Sequence, residues 1–420
     1  MIIMKKYKIV IVGGGAGGLS AAIGAYEAGE HSILLIERSN RLGGILNQCI
    51  HSGFGTVMYN EQLTGPELAQ RLINKFFEYK IDYVLETNVL SIDEEKTIHL
   101  ANAKEGFYEV EAKAIVLTVG CYERSAGAIQ LPGDRPVGVY TAGQAQEALN
   151  IHGYLVGRRV FILGSGDIGM IMARRMELEG AKVVGVAEIL PYTSGLPRNK
   201  VQCLDDFSIP LYLSHTVVKV EGKKNLEAVT IAKVDENFTP IPGTEIRFEV
   251  DTLLLSIGLI PDTRLLRNLP IELNHGRFPV VDQRFMSSVP GIFIAGNGLH
   301  VHDVVDYVSD EGAVAGKSAT NYLFERTSRN IEQIAVEPGN LINYVLPNRI
   351  ALRTKDNIVH LKYRPKKPLE NVRIVVRQGE NIVRKIFLPF ALPAQMEIIE
   401  INSENLVSNE PVIVEVIAHA

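Results

Sequence analysis

The chain has 420 residues, a formal net charge of −5 and 46% hydrophobic residues. This length allows two or three domains with cores of their own, and the composition is that of an ordinary globular protein. The negative net charge argues against nucleic acid as a partner. The lack of an apolar run of about 20 residues argues against a membrane-spanning helix. Because too few residues precede the first strand for a signal peptide, we expect a cytoplasmic location.

An apolar run at residues 7–12 leads directly into a glycine-rich turn, in which Gly13, Gly15 and Gly18 fit the pattern G-x-G-x-x-G. In this pattern the first glycine permits a tight turn, the second lets backbone approach a pyrophosphate, and the third lets helix and strand pack closely. A helix follows, and the next strand ends in Glu37, where an acid suits the hydroxyls of a ribose. The stretch therefore predicts a dinucleotide site.

The next features of the chain extend this site. Gly43 and Gly44 allow backbone to come close to a ligand, and the same dinucleotide is the economical choice. The hydrophobic strand 114–119 then ends at Gly120, and a helix is predicted near residues 141–150.

The opening pattern recurs in the middle of the chain. A strand at residues 159–163 is followed by Gly164, Gly166 and Gly169 in the same G-x-G-x-x-G spacing, and the next strand ends in Glu188. An acid at this place accepts a hydrogen bond from a free 2′-hydroxyl and repels a 2′-phosphate. The second motif therefore favours NADH, or a simple adenosine phosphate, over NADPH.

The last third of the chain changes character. A strand closes at Gly258, another ends at Gly296-Asn297, and a helix is predicted from about residue 310 to 324. Residues 340–420 show alternating apolar runs broken by Pro, Asn and Gly, which predict five or more short strands in a β-sandwich-like domain. We find no chemistry of a site in that domain.

The three cysteines, Cys49, Cys121 and Cys203, are far apart and odd in number. They form neither a disulfide framework nor a C-x-x-C pair. A redox role of Cys49 alone is open, but packing is the more common role of a free cysteine.

The two motifs with their acids resemble those of flavoproteins with two dinucleotide-binding domains, which are related to the pyridine-nucleotide disulfide oxidoreductases. The resemblance covers about residues 5–325. It implies FAD at the first motif and NAD(H), or ADP or ATP as an alternative, at the second. The residues that it assigns to FAD are Gly13, Gly15, Gly18, Glu37, Arg38, Gly44, Asn47, Val89, Gly120, Gly296 and Asn297. Those that it assigns to the second nucleotide are Gly164, Gly166, Gly169, Glu188 and Gly258.

Two departures from this family's pattern carry information. Disulfide reductases of the family have a pair of cysteines beside the flavin, but Leu46 and His51 occupy the two corresponding positions here. Without a dithiol there is no thiol–disulfide exchange of that kind, so the chain is not expected to be a disulfide reductase. Gly296-Asn297 replaces the family's Gly-Asp, and an asparagine can still donate a hydrogen bond to the flavin.

Further stretches narrow the resemblance. Residues 120–124, 138–144 and 296–306 are similar to the FAD-containing subunits of opine oxidases, hydrogen cyanide synthase and dye-linked L-proline dehydrogenases. Residues 47–51 and 63–67 resemble members associated with glycerol-3-phosphate use. These relatives imply a second flavoprotein dehydrogenase or an iron–sulfur subunit as a partner, with homo-oligomers also possible.

The resemblance also suggests catalytic candidates. His302, which alternates with His300 just after the flavin-contacting glycine, is a candidate for flavin-edge packing or acid–base work. His51 and Arg124 are further candidates near the flavin. A metal at the histidines lacks an assured third ligand, so none is predicted.

Together these observations predict an α/β protein with two Rossmann-like FAD- and NAD(P)-binding domains and a C-terminal all-β sandwich-like domain. The expected boundaries are 1–150 with 262–330 for FAD, 151–261 for the nucleotide and 331–420 for the β domain. The expected function is an FAD-dependent oxidoreductase that moves electrons between NADH and an acceptor. The alternative is a non-catalytic or electron-transfer subunit of an amino-acid, opine or glycerol-3-phosphate dehydrogenase complex, with a structural ADP or ATP in the second site.

Overall fold

A computed structural model of the chain describes residues 5–274, 276, 278–324, 332–352 and 357–418. In it the chain alternates strands and helices and ends in a segment that consists mainly of strands. The α-helices are α1 (Ala16–Glu27), α2 (Gly65–Glu78), α3 (Ala142–Asn150), α4 (Asp167–Leu178), α5 (Pro197–Lys200) and α6 (Val305–Phe324). The first strands are β1 (Lys5–Val12), β2 (Ile33–Ile36), β3 (Ser52–Phe54), β4 (Leu63–Thr64), β5 (Asp82–Val84), β6 (Asn88–Ile92), β7 (Thr97–Asn102), β8 (Gly106–Leu117) and β9 (Cys121–Glu123).

The strands of the middle of the chain are β10 (Val139–Thr141), β11 (Arg159–Leu163), β12 (Lys182–Glu188), β13 (Leu211–Leu213), β14 (His215–Glu221), β15 (Ala228–Lys233), β16 (Ile246–Glu249), β17 (Thr252–Leu255), β18 (Leu259–Pro261) and β19 (Ile292–Ile294). The last strands are β20 (Gln333–Pro338), β21 (Ile342–Leu346), β22 (Arg349–Ala351), β23 (Ile358–Pro365), β24 (Leu369–Gln378), β25 (Asn381–Ala391), β26 (Glu397–Asn402) and β27 (Val412–Ala418).

The first sheet has the order β5-β2-β1-β8-β7-β6, with β19 beside β8, and β1 runs parallel to both of its neighbours. Ile9 and Ile11 of β1 belong to the core that α1, α2 and α6 cover. Val10 and Val12 belong to the core on the opposite face. Because both faces of β1 are buried, the strand is a continuous apolar run rather than an alternating one.

Helices α1 and α6 pack backbone to backbone on this sheet. A Cβ added to Gly312 would lie 2.1 Å from the Gly17 carbonyl oxygen, and one added to Gly316 would lie 1.9 Å from the Ala21 oxygen. Thr320 Oγ1 also donates to the Ala25 carbonyl at 3.2 Å. Small residues are therefore required along this contact. Helix α6 begins at Val305, earlier than predicted, and Asp306 in its first turn accepts hydrogen bonds from the backbone N–H groups of Gly55, Val57 and Met58.

The second motif lies on a parallel sheet with the order β10-β17-β11-β12-β13. Met170, Met172 and Met176 of α4 are fully buried against it. An antiparallel sheet β14-β15-β16 follows in the chain. The unit β11–α4–β12 thus repeats the strand–helix–strand arrangement of β1–α1–β2.

The C-terminal strands form a five-stranded sheet, β22-β20-β27-β24-β25, and a three-stranded sheet, β21-β23-β26. One apolar cluster contains residues of both sheets, so the two pack face to face. On β23, Val359, Leu361 and Tyr363 point into this cluster. Lys362 and Arg364 therefore lie on the other face of the strand, since side chains alternate.

By contacts between residues the chain divides into two compact units. The first consists of Met1–Asn47, Ser52–Cys121 and Pro261–Ala420, and the second of Gln48–His51 and Tyr122–Ile260. The C-terminal strands belong to the first unit. The predicted α/β fold with Rossmann-like units is confirmed, whereas the predicted boundaries of the three functional domains stay a prediction.

Candidate functional site

The first glycine-rich turn joins β1 to α1, and internal packing accounts for two of its three glycines. Gly13 has φ +104°, and a Cβ added to Gly18 would lie 1.7 Å from the Gly13 carbonyl oxygen. At Gly15 an added Cβ would meet, among the atoms of the described residues, only the Gly44 Cα, at an ordinary 3.9 Å. Because no internal contact requires a glycine there, the bare backbone leaves room for an external group. The turn at the N-terminus of α1 therefore fits a pyrophosphate.

Glu37 follows β2 directly and is buried beneath the turn, with 6% of its surface exposed. Its Oε2 accepts from the Gly14 N–H at 2.7 Å, and its Oε1 accepts from the Ser39 N–H at 2.7 Å. Each oxygen thus uses one lone pair and keeps another. The carboxylate is held in place and can still accept hydrogen bonds from a ribose diol.

Other residues that the sequence assigned to FAD lie around this turn. Gly44 has φ +55°, and its added Cβ would come within 2.9 Å of the Gly15 Cα. Asn47 Nδ2 donates to the Leu42 carbonyl at 2.9 Å, which closes the same loop. A Cβ added to Gly298 would lie 3.5 Å from the Gly120 N, so the turn that contains Gly296 and Asn297 lies beside the end of β8.

Arg38 and Val89 are placed less specifically. Arg38 is exposed. The pKa of Asp262 is lowered mainly by hydrogen bonds from Arg264, and the charge of Arg38 lowers it slightly further. Val89 lies on β6 opposite Leu100. The assignment of these two residues to FAD stays a prediction.

In the second motif Ser256 fills the space beneath the glycines. A Cβ added to Gly164 would lie 2.1 Å from the Ser256 carbonyl oxygen, and one added to Gly169 would lie 2.6 Å from the Ser256 Cβ. Ser256 Oγ, which lies 3.0 Å from an added Cβ of Gly166, also accepts from the Gly169 N–H at 3.1 Å. Gly258, just beyond, has φ +102° and open space around its Cβ position.

Glu188 ends β12 and is 4% exposed. Its Oε2 accepts from the Ser165 N–H at 2.9 Å, from Ser165 Oγ at 2.6 Å and from Ser194 Oγ at 2.8 Å. Within the described part of the chain, its Oε1 accepts from the Leu190 N–H alone, at 3.1 Å. The predicted ribose acid is therefore fixed through one oxygen and retains acceptor capacity on the other.

His51 and Arg124, which the sequence suggested as flavin neighbours, both belong to the second unit, whereas His302 belongs to the first. Burial lowers the pKa of His51, and the positive charge of Arg198 lowers it further. The negative charge of Asp167, at the start of α4, opposes this effect. The Arg124 N–H donates to the Gly258 carbonyl at 3.0 Å. Each residue thus has a described place near the second motif, and their catalytic role stays a prediction.

A buried polar cluster holds the turn at Gly296 from below. Glu311 of α6 is fully buried. Its Oε2 accepts from the Gly296 N–H at 2.9 Å, and its Oε1 accepts from Lys362 Nζ at 2.8 Å and lies 2.8 Å from His300 Nε2. Burial by itself would raise the pKa of Glu311, but the adjacent His302, His300 and Lys362 outweigh it and hold that pKa well below its usual value. The carboxylate is therefore an ionised anchor for the turn.

His302, the leading catalytic candidate, contacts Asn297. Its N–H donates to Asn297 Oδ1 at 3.0 Å, and its Nδ1 lies 3.0 Å from the same oxygen. Both contacts use the oxygen of the amide, so the Asn297 Nδ2 donor is left for a ligand, with no partner among the described residues. Burial, and then the neighbouring His302, lowers the pKa of His300 to about 4, so His300 is neutral near pH 7.

His300, His302 and Glu311 are close enough to suggest a metal, since their ligand atoms lie within 4.8 Å of one another. However, His300 Nε2, His302 Nε2 and Lys362 Nζ lie 2.8, 3.0 and 2.8 Å from the single oxygen Oε1. In a metal site the ligand atoms surround the ion, whereas here the three nitrogens surround a carboxylate oxygen, which would itself be a ligand. The cluster fits a bonded carboxylate better than a metal centre, and the absence of a metal stays a prediction.

Sequence reasoning missed several residues that hold this region. Asp306, 1% exposed, accepts from the backbone N–H groups of Gly55, Val57 and Met58 at 2.9–3.1 Å. Arg364 of β23 donates to Asp303 at 2.8 Å. The only sequence signal for Lys362 and Arg364 was their polar face on an alternating strand, which ordinarily indicates exposure to solvent.

The three cysteines, all of which the structure describes, form no disulfide. Burial raises the pKa of Cys49 to about 12 and that of Cys203 to about 11. A thiol of this kind is protonated and weakly nucleophilic near pH 7. The predicted absence of a redox disulfide agrees with this arrangement.

With this geometry in place, comparison with known proteins gives the class. The chain belongs to the pyridine nucleotide-disulphide oxidoreductase family, whose model matches residues 7–316. Proteins of this family are oxidoreductases that use FAD and NAD(P)H. No helix among the described residues is long and apolar enough to cross a membrane.

Three similar proteins illustrate the range of the family. The hydrogen cyanide synthase subunit HcnB of Pseudomonas protegens is 28% identical over 332 residues, which cover 74% of this chain and 67% of that protein. An NADH dehydrogenase of Bacillus subtilis is 26% identical over 337 residues, 76% of this chain and 59% of that protein. The structure of T. acidophilum thioredoxin reductase has a TM-score of 0.64 and 24% identity, with 76% of this chain and 100% of that chain covered, and it shows a shared fold.

Proposed function

We propose that the protein is an FAD-dependent oxidoreductase that moves electrons between NADH and an acceptor carried by a partner flavoprotein or iron–sulfur subunit. The observation that carries this proposal is the presence of two complete glycine motifs, each with its own buried glutamate, in a chain whose three cysteines form no disulfide. A disulfide substrate would need a dithiol, and a nicotinamide donor does not.

In this proposal the first unit holds FAD. Gly15 leaves room for the pyrophosphate, Gly44 lets its loop approach Gly15, Glu37 accepts from the ribose, and Asn297 offers its Nδ2 as a donor. When bound, FAD supplies a carrier that takes two electrons from a nicotinamide and passes them on singly or together. The residues of the chain supply position and electrostatics rather than a nucleophile.

The second motif holds NADH in this proposal. Glu188 keeps an acceptor for a free 2′-hydroxyl, and its negative charge repels a 2′-phosphate. The name of the Bacillus subtilis relative, an NADH dehydrogenase, supports the same donor. We therefore expect NADH to be preferred to NADPH.

The test is anaerobic mixing of the FAD-loaded protein with NADH while the flavin absorbance is followed. Loss of the visible absorbance of the oxidised flavin is the expected result. An unchanged absorbance with saturating NADH and with NADPH would contradict the proposal.

A second candidate is a subunit with structural ADP or ATP in the second site, acting beside an amino-acid, opine or glycerol-3-phosphate dehydrogenase. The observation that favours it is the similarity to HcnB, which is named as a subunit of a larger synthase. Under this alternative, the purified protein carries stoichiometric adenine nucleotide and its flavin does not respond to NADH. Fractionation of the native cell tests the proposed cytoplasmic location. Purification from the fraction that holds the protein, followed by identification of the associated chains, tests for the proposed partner.

A further inference from the structure

The turn that the proposed function assigns to FAD is held by buried groups of the chain that follows it. Glu311 accepts from the Gly296 N–H at 2.9 Å, and His302 contacts Asn297 Oδ1 through both its N–H and its Nδ1. Glu311 has no exposed surface, and His302 has 1% of its side chain exposed. Any change in the charge of Glu311 therefore acts directly on the backbone of this turn.

Besides His302 and His300, a lysine of the C-terminal β domain, here residues 333–352 and 357–418, faces the charge of Glu311. Lys362 of β23 donates its Nζ to Glu311 at 2.8 Å, and 7% of the lysine side chain is exposed. His300, which also contacts the carboxylate, is uncharged near pH 7 because burial lowers its pKa to about 4. Lys362 thus brings a full positive charge into contact with the buried anion.

A second pair joins the β domain to the same segment of the chain. Arg364, which lies on the same face of β23 as Lys362, donates to Asp303 at 2.8 Å and to the Tyr344 hydroxyl at 3.0 Å. The backbone N–H of Met396 also donates to Asp303, at 3.3 Å. The β domain therefore contacts residues on both sides of His302 through buried polar groups.

We propose that Lys362 is a positioning residue of the flavin site: it acts through Glu311 to fix the turn at Gly296 and Asn297. This inference rests on the proposed function, since it takes the turn to be part of an FAD site. A buried ion pair is a weak source of stability compared with apolar packing, whereas removal of one partner leaves an uncompensated charge. The pair is therefore better explained by what it positions than by what it stabilises.

The test measures FAD affinity of the full chain, with Lys362→Met as the main variant. We expect its dissociation constant for FAD to rise at least about tenfold, because the buried Glu311 carboxylate loses the Lys362 ammonium that contacts it. Lys362→Arg keeps the charge and should stay closer to the wild type. Lys385→Met, the same change at an exposed lysine of β25, is the matched control and should bind FAD as the wild type does.

A double-mutant cycle separates a positioning role from a general loss of structure. If Lys362 acts through Glu311, then Lys362→Met should change the dissociation constant less than about twofold when Glu311 is already glutamine. Equal losses in both backgrounds would overturn the proposal. A Lys362→Met variant that binds FAD as tightly as the wild type would overturn it as well.

A measurement on the wild type keeps the proposal testable if Lys362→Met does not fold. Addition of FAD to the cofactor-free protein should slow amide exchange in the peptides that contain Gly296 and in β23, but not in β25. Protection at Gly296 without protection in β23 would overturn the proposal. Wild-type protein that binds no FAD would instead overturn the proposed function, so the two failures are distinguishable.

Discussion

Gly15 and Gly44 face each other so closely that a Cβ on Gly44 would lie 2.9 Å from the Gly15 Cα. The two glycines come from different loops, one at the start of α1 and one after β2, and together they form the floor of the proposed pyrophosphate site. A methyl group at position 44 would push these loops apart.

We therefore expect Gly44→Ala to raise the dissociation constant for FAD at least about tenfold, which corresponds to about 1.4 kcal/mol. Gly106→Ala is the matched control, since Gly106 also has a positive φ, +70°, but no atom of the described residues lies within 4 Å of its Cβ position. Both variants carry backbone strain of about 1–2 kcal/mol, and only Gly44→Ala should lose cofactor affinity. Equal affinities of the two variants would contradict the assignment.

Glu188 gives a prediction for the second nucleotide. In Glu188→Gln an amide replaces one of the carboxylate oxygens that accept from Ser165, Ser194 and Leu190, and the negative charge is lost. We expect the dissociation constant for NADH to rise about tenfold, with the FAD content unchanged. Glu179→Gln, the same change at an exposed residue after α4, is the control. NADH titration of both variants measures the difference, and equal values would argue against a ribose contact at Glu188.

Asp306 gives a prediction about local order. In the wild type the N–H groups of Gly55, Val57 and Met58 share the two carboxylate oxygens of Asp306. Asp306→Asn leaves them one acceptor oxygen. We expect a loss of about 1–3 kcal/mol in the free energy of opening this loop, seen as faster amide exchange at residues 55–59. Asp310→Asn, one turn later on α6 and exposed, should leave the exchange unchanged. If the two variants exchange alike, Asp306 does not hold the loop.

His300 gives a prediction about pH. In the folded protein its pKa is about 4, whereas an unfolded histidine has a value of about 6.5. Between these values the unfolded state binds more protons, so the free energy of unfolding decreases as the pH is lowered through this window, by about 3 kcal/mol in all. Glu311, whose folded pKa is held well below its usual value, adds a further loss below about pH 4.5.

His300→Gln should therefore flatten the pH dependence of thermal unfolding between about pH 6.5 and 4. His360→Gln, which changes an exposed histidine of β23, should leave the slope as in the wild type. An unaltered slope in His300→Gln would show that His300 does not carry the proton uptake.

The sequence predicted those parts of the protein that are local in the chain. The turns at Gly13–Gly18 and Gly164–Gly169, with their acids at Glu37 and Glu188, form within about two dozen residues, so spacing alone indicates them. Spacing cannot show that Lys362 reaches Glu311, because 51 residues separate them and β23 pairs within another sheet. An alternating strand predicts only that Lys362 faces away from its own core.

The close contact of α1 with α6 has a consequence for how the chain is made. Thr320 bonds to Ala25 over a separation of 295 residues, and the whole second unit lies between them in the chain. At synthesis rates of about 5–20 residues per second, α6 follows α1 by roughly 15–60 s. For that time the glycine-rich side of α1 has no partner, and Glu311 and Lys362 are not yet present. The packing of α6 behind the first dinucleotide motif is therefore completed only after the second motif has been synthesised.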